Sequence, residues 1–206
     1  MAPRPGMKLL CGIGINDTTD PVYINYKDGN KWWCPYYSCW YNMLRRVSGK
    51  YDTKKNESYK ETKATEDFLR FSKFKPWMVS QKWEGNSLDK DIFGDGSLYS
   101  FETCCFIPDD VNAFLTGLNT SSDRLYGVSY RAHSDVYTSA VRYKGILNHM
   151  GCFPNKYLAR ASYVEKKLEF WEEVVVEHKL SEEIANAVRK KYQTAYDDAI
   201  CLSKTI

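Results

Sequence analysis

Hydrophobic and polar positions alternate in three short runs in the second half of the chain. The runs are Tyr126–Arg131, Val136–Tyr143 and Gly145–Phe153, all rich in β-branched and aromatic residues. Turn-forming residues 132–135 separate the first two runs, and Lys144-Gly145 separates the last two. The pattern predicts a three-stranded antiparallel sheet with tight connections.

After these runs the period of the apolar positions changes from two to between three and four. The apolar residues that recur are Leu158, Ala161, Val164, Leu168, Trp171 and Val175. This spacing places them on one face of a helix, which we expect to cover one face of the sheet. Ser181, followed by Glu182 and Glu183, predicts the cap and first turn of a last helix.

The other face of the predicted sheet stays uncovered. This face and its turns carry basic residues: Arg131, His133, Arg142, Lys144 and His149. A small basic sheet with one open face suits the major groove of DNA, which admits a two-stranded ribbon or a sheet edge. The alternative is a small αβ module with ordinary surface arginines.

The first half of the chain predicts a hairpin and two helices. Leu9–Ile15 and Val22–Tyr26 are apolar runs that suggest a β-hairpin. Residues 32–48 predict a helix with Pro35 in its first turn and Arg45 and Arg46 at its end. These arginines suit the carboxyl end of a helix dipole, and the functional alternative places them on DNA phosphates. A second helix is expected from Thr65, with an aromatic stripe broken at Pro76.

Residues 88–112 form the segment that suggests chemistry. Asp89 and Asp91 flank Lys90, and Asn112 follows about twenty residues later. Two carboxylates and an amide are suitable ligands for one divalent metal ion. The competing interpretation is an acidic turn without metal.

Composition narrows the class of protein. The chain is 43% hydrophobic and 27% charged with a net charge of +3, which is typical of a globular protein and permits nucleic-acid binding. No apolar run approaches the ~20 residues of a membrane span, and the short run Met7–Cys11 does not predict a secretory signal. Seven cysteines without a Cys-x-x-Cys pair favour reduced thiols in a cytoplasm over disulfides or structural zinc.

The predicted sheet and helix resemble the Apetala/ethylene-response-factor type of DNA-binding domain. The matching residues are Gly127-Val128, Tyr137, Val141-Arg142, Gly151, Phe153, Ala161 and Tyr163. The resemblance implies a sheet lying in the major groove of double-stranded DNA, with Arg131 and Arg142 at DNA-contacting positions. His149 stands where the family has tryptophan, Ser129 where it has arginine, and Ala140 where it has an acidic residue.

Segments 32–48 and 88–112, placed before such a module, resemble phage HNH homing-endonuclease-like proteins. The resemblance implies a ββα-metal unit holding Mg²⁺ or Mn²⁺, with Asp89 on the motif aspartate, Thr103 near the middle asparagine and Asn112 at the last position. Asp91 joins Asp89 and Asn112 as a predicted metal ligand because of its spacing. The resemblance places Lys90 where the family has its general-base histidine. A lysine has a reference pKa of about 10.4 and is a poor base at neutral pH.

These patterns together predict an α+β protein with two domains. A degenerate ββα-metal unit is expected in residues 1–117, a linker in 118–123, and a DNA-binding domain with carboxyl-terminal helices in 124–206. The predicted function is DNA binding with metal-dependent nicking or cleavage, in the cytoplasm of a bacterial host cell. One alternative is a catalytically inactive binder of DNA or of a host protein. Another is an inhibitor of a host enzyme that uses the basic sheet face.

Overall fold

The chain folds as two units of mixed α and β structure, residues 1–109 and 110–206. The structure is a computed structural model, and it describes residues 9–49, 59, 61–118 and 125–205. The predicted linker 118–123 lies outside the described residues except for Leu118. No helix of the described residues is both long and apolar enough to cross a membrane.

The first unit contains short strands and two helices. They are β1 (Tyr23–Asn25), β2 (Lys31–Trp33), α1 (Pro35–Val47), β3 (Lys63–Ala64), α2 (Phe71–Val79), β4 (Asn86–Asp89), β5 (Leu98–Tyr99) and β6 (Cys105–Pro108). β1 pairs with β2 and β4 with β6, both antiparallel, whereas β3 and β5 are parallel.

An aromatic core holds these elements together. Trp40 on α1 is fully buried, and its indole N–H donates to the carbonyl of Phe68 at 2.8 Å. Phe71 and Phe74 on α2 are also fully buried, and Phe74 meets Phe68 edge to face at 5.3 Å. Burying one such ring contributes about 2 to 3 kcal/mol, so α1 and α2 are fixed to each other by this cluster.

The first hairpin differs from the prediction. Tyr23–Asn25 pairs with Lys31–Trp33 and not with Leu9–Ile15. Gly29, at φ 88°, allows the chain to return sharply enough for this pairing. Leu10 forms an isolated antiparallel bridge with Gly14, its N–H donating to the Gly14 carbonyl, so the first run turns on itself and is no strand.

The second helix also starts later than predicted. Ile15 forms a parallel bridge with Arg70, and the N–H of Phe71 donates to the Ile15 carbonyl at 3.0 Å. This bridge requires extended backbone at Arg70, so residues 65–69 form a separate turn and α2 begins at Phe71. The helix then continues past Pro76 to Val79, and the expected break is absent there.

The second unit contains the predicted sheet and helices. Its elements are α3 (Asp109–Leu115), β7 (Val128–Arg131), β8 (Val136–Tyr143), β9 (Ile146–Phe153), α4 (Lys156–His178) and α5 (Glu182–Ser203). The sheet order is β7-β8-β9, antiparallel throughout, which confirms the three-stranded sheet. Lys144 and Gly145 both have positive φ, as the tightest hairpin turns require.

Helix α4 packs on one face of this sheet. Ser139 and Val141 of β8 are buried under it, and the ring of Tyr143 stacks on Phe170 at 4.3 Å. Gly127, at φ 76°, lies so close to the helix that an added Cβ would collide with the ring of Tyr163. The predicted cap is confirmed, since the Ser181 hydroxyl accepts from the N–H of Ile184 at 3.3 Å.

Two buried cations attach the chain before the sheet to α4. Arg160, 3% exposed, donates to the carbonyls of Gly117 at 2.9 Å and Tyr126 at 3.2 Å. Lys167, 5% exposed, donates to the carbonyl of Phe114 in the last turn of α3. Burial lowers the pKa of Lys167 to about 8, with a smaller contribution from Arg160.

Candidate nucleic-acid interface

The strand register decides which residues share the uncovered face of the sheet. Arg131 faces Val136, Ser129 faces Thr138, Arg142 faces Leu147, and Ala140 faces His149. Side chains alternate between the faces of a strand, and Ser139 and Val141 lie under α4. The face made by Ser129, Arg131, Val136, Thr138, Ala140, Arg142, Leu147, His149 and Cys152 is called the open face below.

The two arginines of the open face are exposed at opposite ends of it. The guanidinium of Arg142 donates to the carbonyl of Gly145 at 2.8 Å, which holds it over the β8–β9 turn. Arg131 forms no side-chain hydrogen bond or ion pair with any described residue. Val136, opposite Arg131, stands six residues before Arg142 on β8, so about 20 Å of strand separates the two ends. Both side chains retain donors for an external partner.

His133, His149 and Ser129 are also exposed. His149 and Ser129 lie on the open face, and His133 lies in the turn between β7 and β8. A register shift leaves Met150 without a partner, which brings Cys152 opposite Thr138 and onto the open face. The alternation of the sequence predicted the face, but this bulge has no sequence signal strong enough to locate it.

Lys144 is directed elsewhere. Its ammonium group pairs with Glu177 of α4 at 2.8 Å, and it lies over the ring of Tyr143 at 5.2 Å. Tyr143 is on the helix side of β8, so Lys144 belongs to the covered side of the sheet and not to the open face. Residues two apart in a strand share a face, which is why the sequence grouped Lys144 with Arg142, but β8 ends at Tyr143 and Lys144 lies in the turn at φ 46°, where the alternation no longer applies.

Charge is separated across this unit. No acidic residue lies on the open face, whereas α4 exposes five glutamates: Glu165, Glu169, Glu172, Glu173 and Glu177. Three of them, Glu169, Glu172 and Glu177, pair with cations. A groove lined by Leu147–Met150 and by Ser162, Glu165, Lys166 and Glu169 marks the boundary beside the edge strand β9. The charges of Arg131 and Arg142 on the open face are not neutralised by any described carboxylate, so this face attracts a polyanion.

The arginines at the end of α1 have a structural setting. Arg46 is half-buried, donates to the hydroxyl of Tyr99 at 3.4 Å, and lies over the ring of Tyr59 at 5.5 Å. Arg45 is exposed. Both stand in the last turn of α1, where a cation favours the helix dipole. Arg46 is therefore engaged inside the first unit, and Arg45 lies at its surface.

The Asp89–Lys90–Asp91 segment forms a tight turn at the end of β4. One carboxylate oxygen of Asp89 accepts from the N–H of Asp91 at 2.8 Å and of Ile92 at 2.9 Å. Asp89 is 5% exposed, and its burial, together with the nearby charge of Asp91, raises its pKa above the usual range. The Asp89 side chain stabilises the turn.

Lys90 is buried beside Asp91. Its ammonium lies 3.0 Å from the Asp91 carboxylate and over the rings of Tyr59 and Tyr99. Gly96, at φ 84°, leaves space for that carboxylate, since an added Cβ would collide with it. A lysine held as a cation between a carboxylate and two aromatic rings is unsuited to accept a proton.

The remaining predicted motif positions have local structural roles. The hydroxyl of Thr103 donates to the carbonyl of Leu98 at 2.7 Å and accepts from the N–H of Ser100 at 3.0 Å, which closes the loop after β5. Asn112 is half-buried on α3, in the second unit. Its side chain forms no hydrogen bond with the described residues.

These residues are a poor fit for a divalent cation. The Asp91 carboxylate already neutralises Lys90, and one Asp89 oxygen already accepts two backbone N–H groups. Within the described ranges, no three His, Cys, Asp or Glu side chains converge as a metal site requires. A cation entering here would have to displace the ammonium of Lys90.

Comparisons with known proteins add no relative. No family model, no curated protein and no solved structure matches the chain.

Proposed function

We propose that this protein binds double-stranded DNA, with the open face of the β7-β8-β9 sheet in the major groove. One observation carries the proposal: the sheet face that no helix of the described residues covers displays Arg131 and Arg142 and no acidic side chain. The exposed glutamates of the second unit are on the helices: five on α4, and Glu182 and Glu183 at the start of α5. This separation of charge favours one orientation of the sheet toward a polyanion.

The dimensions of the open face support the same proposal. About 20 Å along β8 separates the position opposite Arg131 from Arg142. This distance matches about six base-pair steps at 3.4 Å each. Arginine guanidinium groups bind phosphates and the edge of guanine, and exposed hydroxyl groups such as that of Ser129 add donors.

We further propose that the first unit carries a degenerate nuclease motif, Asp89–Lys90–Asp91, without nuclease activity. The support is the pairing of Lys90 to Asp91. The alternative is a DNA-nicking enzyme that requires Mg²⁺ or Mn²⁺. That function would need a general base other than Lys90, because a buried, paired ammonium does not accept a proton from water.

The DNA-binding proposal is tested with Arg131→Ala plus Arg142→Ala. A gel-shift titration with duplex DNA across a salt series is expected to show weaker binding and a salt slope reduced by about two. The matched control is Lys144→Ala plus Lys190→Ala, where Lys190 is exposed on α5. It removes two cations outside the open face and is expected to change little. An unchanged slope in the arginine variant would exclude the open face as the DNA-binding surface.

The nuclease alternative is tested separately with supercoiled plasmid and Mg²⁺ or Mn²⁺. The wild-type protein is expected to retain the plasmid without nicking it. Nicking by the wild type that disappears in Asp89→Ala would establish the enzyme and overturn the degenerate-motif proposal. DNA retention and nicking are independent readouts, so either result leaves the open-face test intact.

A further inference from the structure

The β1–β2 hairpin of the first unit exposes an unusual number of aromatic rings. Trp33, Tyr23, Tyr26 and Trp32 are 55%, 52%, 50% and 38% exposed. All six strand residues are exposed, so neither face of this two-stranded ribbon is covered by the described part of the chain. Large exposed apolar groups of this kind mark binding surfaces.

Backbone hydrogen bonds close both ends of the exposed ribbon. The N–H of Cys34 donates to the Val22 carbonyl at 3.0 Å, and the N–H of Tyr26 donates to the Asn30 carbonyl at 2.8 Å, so both ends are closed. Cys34 is buried and caps α1, whose Trp40 lies in the aromatic core. The ribbon that carries the rings is therefore anchored through α1 to the aromatic core.

The register distributes the rings over both faces. Tyr23 and Trp33 face each other across the strands with ring centroids 5.5 Å apart, and Ile24 faces Trp32 on the opposite side. A protein surface that packs flat on the ribbon would cover only one of these faces. Successive bases of a flexible strand can stack on rings on both sides.

The charges of the ribbon favour a polyanion. Lys27 and Lys31 are exposed within it, and Lys31 lies on the same face as Trp33. The acid of the turn, Asp28, accepts from the N–H and the side-chain amide of Asn30 at 3.0 and 2.9 Å. Just before the ribbon, Asp20 pairs with Lys75. Aromatic rings interleaved with lysines are typical of surfaces that bind unpaired nucleotides.

We propose that the β1–β2 ribbon binds single-stranded nucleic acid by stacking unpaired bases on Trp32, Trp33, Tyr23 and Tyr26, with Lys27 and Lys31 on the phosphates. This site goes beyond the duplex binding proposed for the open face, because it lies in the other unit and uses rings where the open face uses arginines. The protein would then have one surface for duplex DNA, the open face, and one for single strands, the ribbon.

The test measures fluorescence anisotropy of a labelled oligo(dT) strand titrated with the full-length protein. Trp32→Ala plus Trp33→Ala is expected to weaken binding by at least about tenfold, because each stacked ring contributes about that factor or more. Trp32→Phe plus Trp33→Phe keeps the rings and is expected to restore most of the affinity. Val79→Ala, which removes an exposed apolar side chain on α2, is the matched control.

Duplex binding is measured in parallel to separate the two proposals. The tryptophan variant is expected to keep the duplex affinity of the wild type, and Arg131→Ala plus Arg142→Ala to keep the oligo(dT) affinity. Equal oligo(dT) affinity of the wild type and the alanine variant overturns the inference, as does the absence of oligo(dT) binding by the wild type.

Discussion

The open face of the sheet and the Asp89–Lys90–Asp91 turn are both rich in polar residues, but their charges are used in opposite ways. In the turn, Lys90 pairs with Asp91 at 3.0 Å, and Asp89 accepts two backbone N–H groups. On the open face, Arg131 is exposed without a described partner and Arg142 is bound only to a backbone carbonyl. The turn satisfies its charges internally, whereas the open face leaves them for a partner.

This difference shows why motif spacing alone is a weak guide to chemistry. Buried charged groups require partners inside the protein, and those partners remove the free lone pairs that a metal ion or a proton needs. The exposed arginines of the open face are hydrated, so they do not require a partner inside the protein. The residues that resemble a catalytic motif are therefore the more structural ones, and the residues with no catalytic signal are the better candidates for function.

The largest effect that separates the two regions is expected from Asp89→Ala. This change leaves the part-buried N–H of Asp91 and the buried N–H of Ile92 without an acceptor, and it is expected to lower the free energy of unfolding by about 2 to 3 kcal/mol. Duplex DNA affinity is expected to stay at the wild-type level. Urea denaturation and a gel shift measure the two quantities.

The control for that experiment is Asp89→Asn, which keeps the accepting oxygen. Since burial already disfavours the charged form of Asp89, the neutral amide is expected to cost clearly less stability than alanine. If Asp89→Ala instead left stability unchanged and abolished a DNA-dependent activity, the turn would be a functional site and the comparison would be wrong.

A smaller, pH-dependent effect is expected for the buried cation Lys167, which contrasts with the exposed arginines of the same unit. Its pKa is about 8 in the folded protein against about 10.4 when unfolded. Between these values the unfolded chain binds more protons, so this lysine lowers stability most below pH 8 and less as pH rises. The stability gap between Lys167→Met and the wild type is expected to change by about 1 kcal/mol from pH 8 to pH 9.

Thermal or urea denaturation at several pH values measures this gap. Leu168→Met serves as the control, because it changes a neighbouring residue without removing a titrating group. Parallel pH profiles of Lys167→Met and the wild type would mean that Lys167 is hydrated in the folded protein, against its burial in this structure.

The smallest effect is expected from Lys144→Ala. Its ion pair with Glu177 is half exposed on both sides, and such pairs contribute about 0.5 kcal/mol or less. Duplex affinity is expected to fall far less than in Arg131→Ala, because Lys144 lies on the helix side of the sheet. Equal losses in the two single variants, measured at one salt concentration, would place Lys144 on the DNA-binding surface.

Local pattern was sufficient to predict the second unit. The strands β7, β8 and β9 lie within two residues of their predicted ends, and α5 begins after the predicted cap Ser181. Period-two alternation, a two-residue turn and a capping serine act over a few residues, so they are visible in the sequence itself. The same information placed Arg131, Arg142 and His149 on one face.

The first unit was predicted less well because its elements depend on distant partners. The bridge between Ile15 and Arg70 joins residues far apart in the chain. Because of this bridge, α2 begins at Phe71 and not at the predicted Thr65. Tyr23–Asn25 pairs with Lys31–Trp33, a segment that the apolar pattern did not predict as a strand. Short apolar runs are compatible with several pairings, and only packing selects among them.

The sequence by itself determined that the chain is an α+β protein with a basic three-stranded sheet beside a long amphipathic helix. Tertiary structure alone decided which charges are available to a partner. It buried Lys90 against Asp91 and Arg160 against backbone carbonyls, it paired Lys144 with Glu177 at the surface, and it left Arg131 exposed. The physical reason is that local alternation sets the direction of a side chain, whereas burial and pairing depend on what the rest of the chain places beside it.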